Sequence, residues 1–123
     1  MQLLLVDDDP LAAHGLALAH SDEGFRIKIA HNGREVFGLV RLLEPALVIL
    51  DVTLPDMDGV AVATLLRRHW IDLPIVFTTG HDEYEGLAPL LGPSTRLLQK
   101  PFELVALLAL IRELTSREDA RGV

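Results

Sequence analysis

Five short apolar runs punctuate the chain: Leu3–Val6, Phe25–Ala30, Ala46–Leu50, Ile75–Thr78 and Arg96–Leu98. The first, third and fourth are almost continuously apolar, as strands buried on both faces of a parallel sheet must be. The second alternates, with Phe25, Ile27 and Ile29 apolar and Arg26 and Lys28 polar, which predicts a strand with one wet face at the sheet edge. The gaps read as helices. Asp9-Pro10 is an acidic cap followed by proline in the first turn and opens a helix to about His20. Asn32-Gly33 opens a second, which ends near Glu44 because Pro45 disfavours continuation. A third spans about Gly59 to Trp70 and the last about Phe102 to Arg117. Strand followed by helix, repeated along the chain, predicts an α/β doubly wound parallel sheet of five strands with helices on both faces.

Two helices break the pattern. The fourth, Asp82 to Leu91, contains Gly86 and Pro89 and is followed by Gly92-Pro93, so a short, bent or frayed element is expected. In the last helix Leu104, Leu107, Leu108, Ile111 and Leu114 form one apolar stripe, while Val105, Ala106, Ala109 and Leu110 fall on other faces. Those extra positions read either as scattered surface residues or as a partner or dimer face.

Composition narrows the function classes. The 123 residues suffice for one domain with one core, half of them are apolar and 24% are charged, an ordinary globular balance. There is no cysteine, so disulfides and thiolate metal sites are excluded. The net charge of −7 argues against direct binding of nucleic acid or a membrane surface. The one early apolar run is stopped by Asp7 and has no basic stretch before it, so no signal peptide is read and a cytoplasmic protein is the expectation. The five histidines lack the spacing of a zinc site.

In an open parallel sheet, ligands bind beyond the carboxyl ends of the strands. Asp7, Asp8 and Asp9 follow the first strand, Asp51 the third, Thr79 and Gly80 the fourth, and Lys100-Pro101 the fifth. In the usual strand order these ends are neighbours. Three of these carboxylates, Asp7, Asp8 and Asp51, with a hydroxyl and an ammonium, then converge on one mouth. Packed carboxylates require a counter-charge, and Mg2+, a hard cation taking oxygen ligands, suits them, with Lys100 as a second positive charge. Such a site accommodates a phosphoryl group and a carboxylate able to attack it in line. Taken singly, each piece has a plainer meaning. An Asp-Asp pair after a strand is a solvated loop and cap, Asp56-Met57-Asp58-Gly59 a turn, Thr79 a strand end and Lys100-Pro101 a loop. The joint placement favours the chemistry.

Together the segments LLLVDDDP, ALVILDVTLPDMDG, PIVFTTG and LLQKPF resemble the receiver domains of response regulators in two-component signalling, over about Leu3 to Leu114. The resemblance implies a flavodoxin-like sheet in order 2-1-3-4-5, with a receiver domain over residues 1–118 and a polar tail over 119–123. By position it implies Asp51 as phosphoacceptor, with Mg2+ held by Asp7, Asp8, Asp51 and the Thr53 backbone carbonyl. Thr79 matches the switch hydroxyl, Gly80 the small residue that leaves room for the phosphoryl group, and Lys100 the lysine that pairs with its oxygens. The Lys100–Pro101 bond is expected to be cis. Thr53 and His81 occupy positions that tune the lifetime of the acyl phosphate, and Leu97 stands where the family often has an inward-turning aromatic.

The implied function is phosphoryl transfer from a histidine kinase or phosphotransfer domain onto Asp51. Slow self-hydrolysis replaces enzymatic turnover, and output passes to a partner or homodimer through the surface from the fourth helix to the fifth. With no room for an output domain, the chain is expected as a single-domain receiver or as a piece of a larger protein. The rival closest to this reading is a degenerate receiver acting as a phosphorylation-independent interaction module. An aspartate-dependent phosphatase wants a second Asp where Thr53 stands, and a flavodoxin wants a phosphate-cradling loop where three Asp stand.

Overall fold

The computed structural model describes residues 1–7, 24–80 and 92–121, with side chains described through residue 116. Five parallel strands, β1 (Gln2–Val6), β2 (Arg26–Ala30), β3 (Leu47–Asp51), β4 (Ile75–Thr79) and β5 (Thr95–Gln99), form one sheet in the order β2-β1-β3-β4-β5. Each predicted strand is present, shifted by at most a residue or two at its ends. β1, β3 and β4 sit between neighbours and are buried almost throughout. β2, at one edge, alternates between wetter and drier positions. β5, at the other edge, is only partly buried.

Three helices are described: α1 (Val36–Leu43), α2 (Gly59–His69) and α3 (Leu104–Arg121). The predicted helices Asp9–His20 and Asp82–Leu91 lie outside the described residues. Alternation along the strands divides the core in two. Leu4, Val6, Val48, Leu50, Ile75 and Phe77 face α1 and α2, meeting Val36, Val40, Val62, Ala63 and Leu66. Leu3, Leu5, Leu47, Ile49 and Val76 face α3, meeting Leu107, Leu108, Ile111 and Leu114.

The helix ends follow local chemistry. Before α1, the segment Gly33–Glu35 forms a 3-10 turn whose first residue is preceded by Asn32, and the Asn32 side chain accepts from the Glu35 N–H at 3.1 Å. The helix stops at Glu44, which takes a left-handed conformation (φ 47°, ψ 58°) just ahead of Pro45. In α2, Asp58 Oδ1 accepts from the Val60 N–H at 2.8 Å, a carboxylate N-cap. At the other end the Arg67 guanidinium donates to the carbonyls of Trp70, Ile71 and Leu73 and, at 2.8 Å, to Thr95 Oγ1. It thereby ties the exit of α2 to the first residue of β5. The last helix runs to Arg121, past the Arg117 expected from the polar composition, because Glu118, Ala120 and Arg121 are good helix formers. Leu104, counted in the apolar stripe, is 38% exposed, and Val105 is 65% exposed. Helical side chains lean back toward the N-terminus, so a residue in the first turn has no preceding turn of its own helix to cover. Among the described residues no helix is long and apolar enough to cross a membrane.

Candidate functional site

The carboxyl ends of β1, β3 and β5 bring three charges together. Lys100 Nζ donates to Asp7 Oδ2 at 3.3 Å and to Asp51 Oδ2 at 3.2 Å. Asp7 is only 2% exposed and Asp51 6%. The second oxygen of Asp51 accepts from the Thr53 N–H at 3.0 Å. Main-chain bonds hold the frame: the Asp7 N–H donates to the Ala30 carbonyl, the Val52 N–H to the Thr78 carbonyl and the Lys100 N–H to the Thr79 carbonyl. The Lys100–Pro101 peptide is cis.

The electrostatics follow from two buried carboxylates sharing one ammonium. Burial raises the Asp51 carboxyl above its ordinary range, and the neighbouring charge of Asp7 adds to this. The Thr53 N–H and Lys100 oppose the rise without cancelling it. At Lys100 burial alone would favour the neutral amine. The charges of Asp51 and Asp7 outweigh it and hold the ammonium above its usual value. The Asp51 shift is set first by burial and the Lys100 shift by its two carboxylates; with two carboxylates to one ammonium, the described site carries more negative than positive charge. That surplus, presented on hard oxygen donors, fits a divalent cation of the magnesium type. Among the described residues no group of three or more His, Cys, Asp or Glu is placed to hold a metal. Asp8, the third expected carboxylate, lies outside the described residues, as does His81.

The remaining expected residues are placed as follows. Thr79 ends β4, is buried, and pairs in register with Gln99. Gly80 follows it and is exposed; a Cβ built there meets nothing within 4 Å. Thr53 is exposed and forms an isolated antiparallel bridge with Asp58. Leu97 packs from β5 against the core on the α1 and α2 side.

The loop between β3 and α2 contributes two features that its sequence understated. The Asp56 carboxylate accepts from the Gly33 N–H at 2.8 Å and the Arg34 N–H at 3.0 Å, lashing this loop to the one after β2. The Gly33 hydrogen bond does most to hold the Asp56 carboxyl below its ordinary range, so the stabilisation is present at neutral pH and is lost as acid protonates the group. The spacing of Asp56 and Asp58 reads equally well as a plain turn, and no sequence signal marks the long-range partner. Gly59 is required by close approach: its N–H donates to the Val52 carbonyl at 2.7 Å. A Cβ there would collide with the Asp51 carbonyl oxygen and stand 2.8 Å from Val52 Cα. These are main-chain atoms and cannot give way. Gly59→Ala is therefore expected to lower stability by about 2–3 kcal/mol, read as a fall in the denaturant midpoint. An unchanged midpoint would show that the loop yields freely.

Known proteins resemble this chain in sequence and in fold. A family model described as the response regulator receiver domain matches residues 3–112. The chain belongs to this family. Response regulator MprA of Mycobacterium avium (strain 104) is 36% identical over 128 residues, covering 100% of the receiver domain and 56% of MprA. The receiver domain thus spans about half the length of the curated relatives it matches. The response regulator TrrA of Thermotoga maritima, solved in complex with Mg2+-BeF, aligns with a TM-score of 0.81 at 28% identity, over 92% of this chain and 97% of that one. A CheY-like receiver domain protein of Methanospirillum hungatei aligns at 0.88, over 98% of each chain; at 23% identity it speaks for the shared fold.

Proposed function

We propose that this receiver domain accepts a phosphoryl group on Asp51 from a histidine kinase or phosphotransfer domain and passes the change to a partner. The observation that carries the reading is the Lys100 ammonium bonded at once to the buried carboxylates of Asp7 and Asp51. An Asp51 oxygen attacks phosphorus in line, the bond from phosphorus to the donor's imidazole nitrogen breaks, and the imidazole leaves with that electron pair. Asp51 is oriented for this by the Thr53 N–H on its other oxygen. Lys100 neutralises the charge gathering on the phosphoryl oxygens, Thr79 supplies a hydroxyl, and the open space beside Gly80 leaves room for the group. The residues that would hold magnesium are Asp7, Asp8, Asp51 and the Thr53 carbonyl; when bound, the ion supplies charge neutralisation between carboxylate and phosphoryl oxygens.

The phosphoryl group adds close to two negative charges to a site already in surplus. That charge biases a two-state equilibrium of the surrounding surface. Hydrolysis returns the domain to rest, so it is consumed and reset rather than turning over substrate. Thr53 and His81 set the lifetime of the acyl phosphate, and Leu97, in place of an aromatic, leaves the readout to other residues. The output surface runs from the Asp82–Leu91 segment to α3, where Leu104 and Val105 are exposed, and serves a homodimer or an output partner. The location is cytoplasmic, and the domain unit extends to about residue 118. The presence of Asp7 and Asp51, both bonded to Lys100, speaks against the degenerate, phosphorylation-independent alternative.

Incubation with acetyl phosphate and magnesium tests the reading by intact mass. The expected result is a gain of one phosphoryl group that disappears when a chelator is present. A mass unchanged under both conditions would leave the interaction module as the function.

A further inference from the structure

The register of the sheet puts an unassigned hydroxyl in the same strand row as Asp51. Thr78 is the direct partner of Asp51 across β3 and β4. Partners in a parallel sheet face the same side, and the preceding pair on that side, Ile49 and Val76, both lie in the core beneath α3. Thr78 therefore shares Asp51's face, with Leu98 of β5 beyond it. The same row reaches Asp7 at the end of β1, since Leu5 pairs with Ile49 and Asp7 lies two residues on. Thr79, one residue further, falls by alternation on the opposite face with Phe77 and Leu97. Thr78 thus lies in the row of the acceptor carboxylate, and Thr79, the hydroxyl assigned to the phosphoryl group, lies one residue beyond it at the end of β4.

Two further observations concern its state. Thr78 is 2% exposed, and its Oγ1 is buried with no hydrogen-bond partner among the described residues. A buried hydroxyl without a partner destabilises the arrangement that strands it. Strand order also dictates the path of Lys100. β4 lies between β5 and β3, so an ammonium carried at the end of β5 and bonded to Asp51 and Asp7 must reach across β4 on this face. Two of its three N–H donors serve those carboxylates in these bonds. A shift of Lys100 toward a group on Asp51 moves an ammonium donor along the face that carries the Thr78 hydroxyl.

We infer that Thr78 is a positioning residue for the phosphorylated state: its hydroxyl lacks a partner at rest and gains one from Lys100 or Asp51 once a phosphoryl group occupies the site. The inference rests on the reading of Asp51 as acceptor. The resting form is destabilised by the orphaned hydroxyl and the occupied form is not, so the equilibrium is tilted toward occupancy. Thr78 follows Ile75, Val76 and Phe77 in β4, where an apolar residue of the same shape would satisfy packing alone.

The test compares the full chain with Thr78→Val, which keeps the shape and removes the hydroxyl, and Thr78→Ser, which keeps the hydroxyl. Two quantities are read: the melting temperature without magnesium, and the affinity for beryllofluoride in the presence of magnesium as a stable phosphoryl mimic. Thr78→Val is expected to melt no lower than wild type yet bind beryllofluoride about tenfold more weakly, with Thr78→Ser restoring the affinity. Equal affinities for wild type and Thr78→Val would overturn the inference, as would a valine variant that fails to fold or a serine variant no better than valine. A wild type that binds no beryllofluoride, or an Asp51→Asn variant that binds it equally well, would instead overturn the acceptor reading and the inference with it.

Discussion

Asp51→Asn is expected to take up no phosphoryl group from acetyl phosphate and to melt higher than the wild type. The first half follows from removing the attacking oxygen, since an amide is neither charged nor a competent nucleophile here. The second follows from electrostatics. The Asp51 carboxyl is 6% exposed and shares one ammonium with Asp7, and burial followed by the Asp7 charge raises its pKa from 3.8. A carboxyl raised on folding destabilises the folded state wherever it is ionised. The destabilisation is complete above the folded-state pKa and vanishes below the unfolded value. Removing it at neutral pH is expected to add about 1 kcal/mol, roughly 3–6 °C in Tm for a domain of this size. The gap between variant and wild type should close as the pH is lowered toward 4. Thermal scans across that range check the sign, and a variant less stable than wild type at pH 7 would contradict the surplus of negative charge.

Lys100→Met is expected to act in the opposite direction. Methionine keeps most of the aliphatic length but removes the ammonium bonded to both carboxylates. Asp7 and Asp51, with side chains 2% and 9% exposed, then lose the ammonium they share. Stranding buried charge by deleting its partner is strongly destabilising; because Lys100 is itself 29% exposed and water reaches the pair from that side, we expect a loss of about 2–3 kcal/mol. The loss should shrink in acid, where one carboxylate protonates, and shrink on adding magnesium chloride, which returns positive charge to the same oxygens. Equal melting temperatures for variant and wild type in the absence of magnesium would mean that the three groups are not energetically coupled.

Much of this was legible in the sequence, for identifiable reasons. Central strands buried on both faces leave continuous apolar runs, so β1, β3 and β4 announce themselves, and β2 betrays its edge position by alternating. The rule that ligands bind beyond strand ends then selects Asp7, Asp51 and Lys100 from among 18 acidic and 11 basic residues. What stayed hidden depends on distances that no local pattern encodes. Asp56 reads as a turn residue, yet its partners Gly33 and Arg34 are 23 and 22 residues away. Arg67 looks like one of several basic residues at a helix end, but its guanidinium reaches Thr95 on β5. Thr78 carried a faint signal, a hydroxyl ending an apolar strand, but its meaning required the register with Asp51. Leu104 fits the stripe of α3 and is nevertheless exposed, because periodicity assigns a face without saying where the covering sheet stops.

The central claim concerns one atom group, the Asp51 carboxylate, as the place where phosphorus is bound. It is tested most directly by phosphorylating the chain with acetyl phosphate and magnesium, reducing the acyl phosphate with borohydride, and mapping the reduced residue in peptides. Reduction of Asp51 to homoserine, and of no other carboxylate, is the predicted result. Reduction at a different aspartate or glutamate, with Asp51 intact, would contradict it.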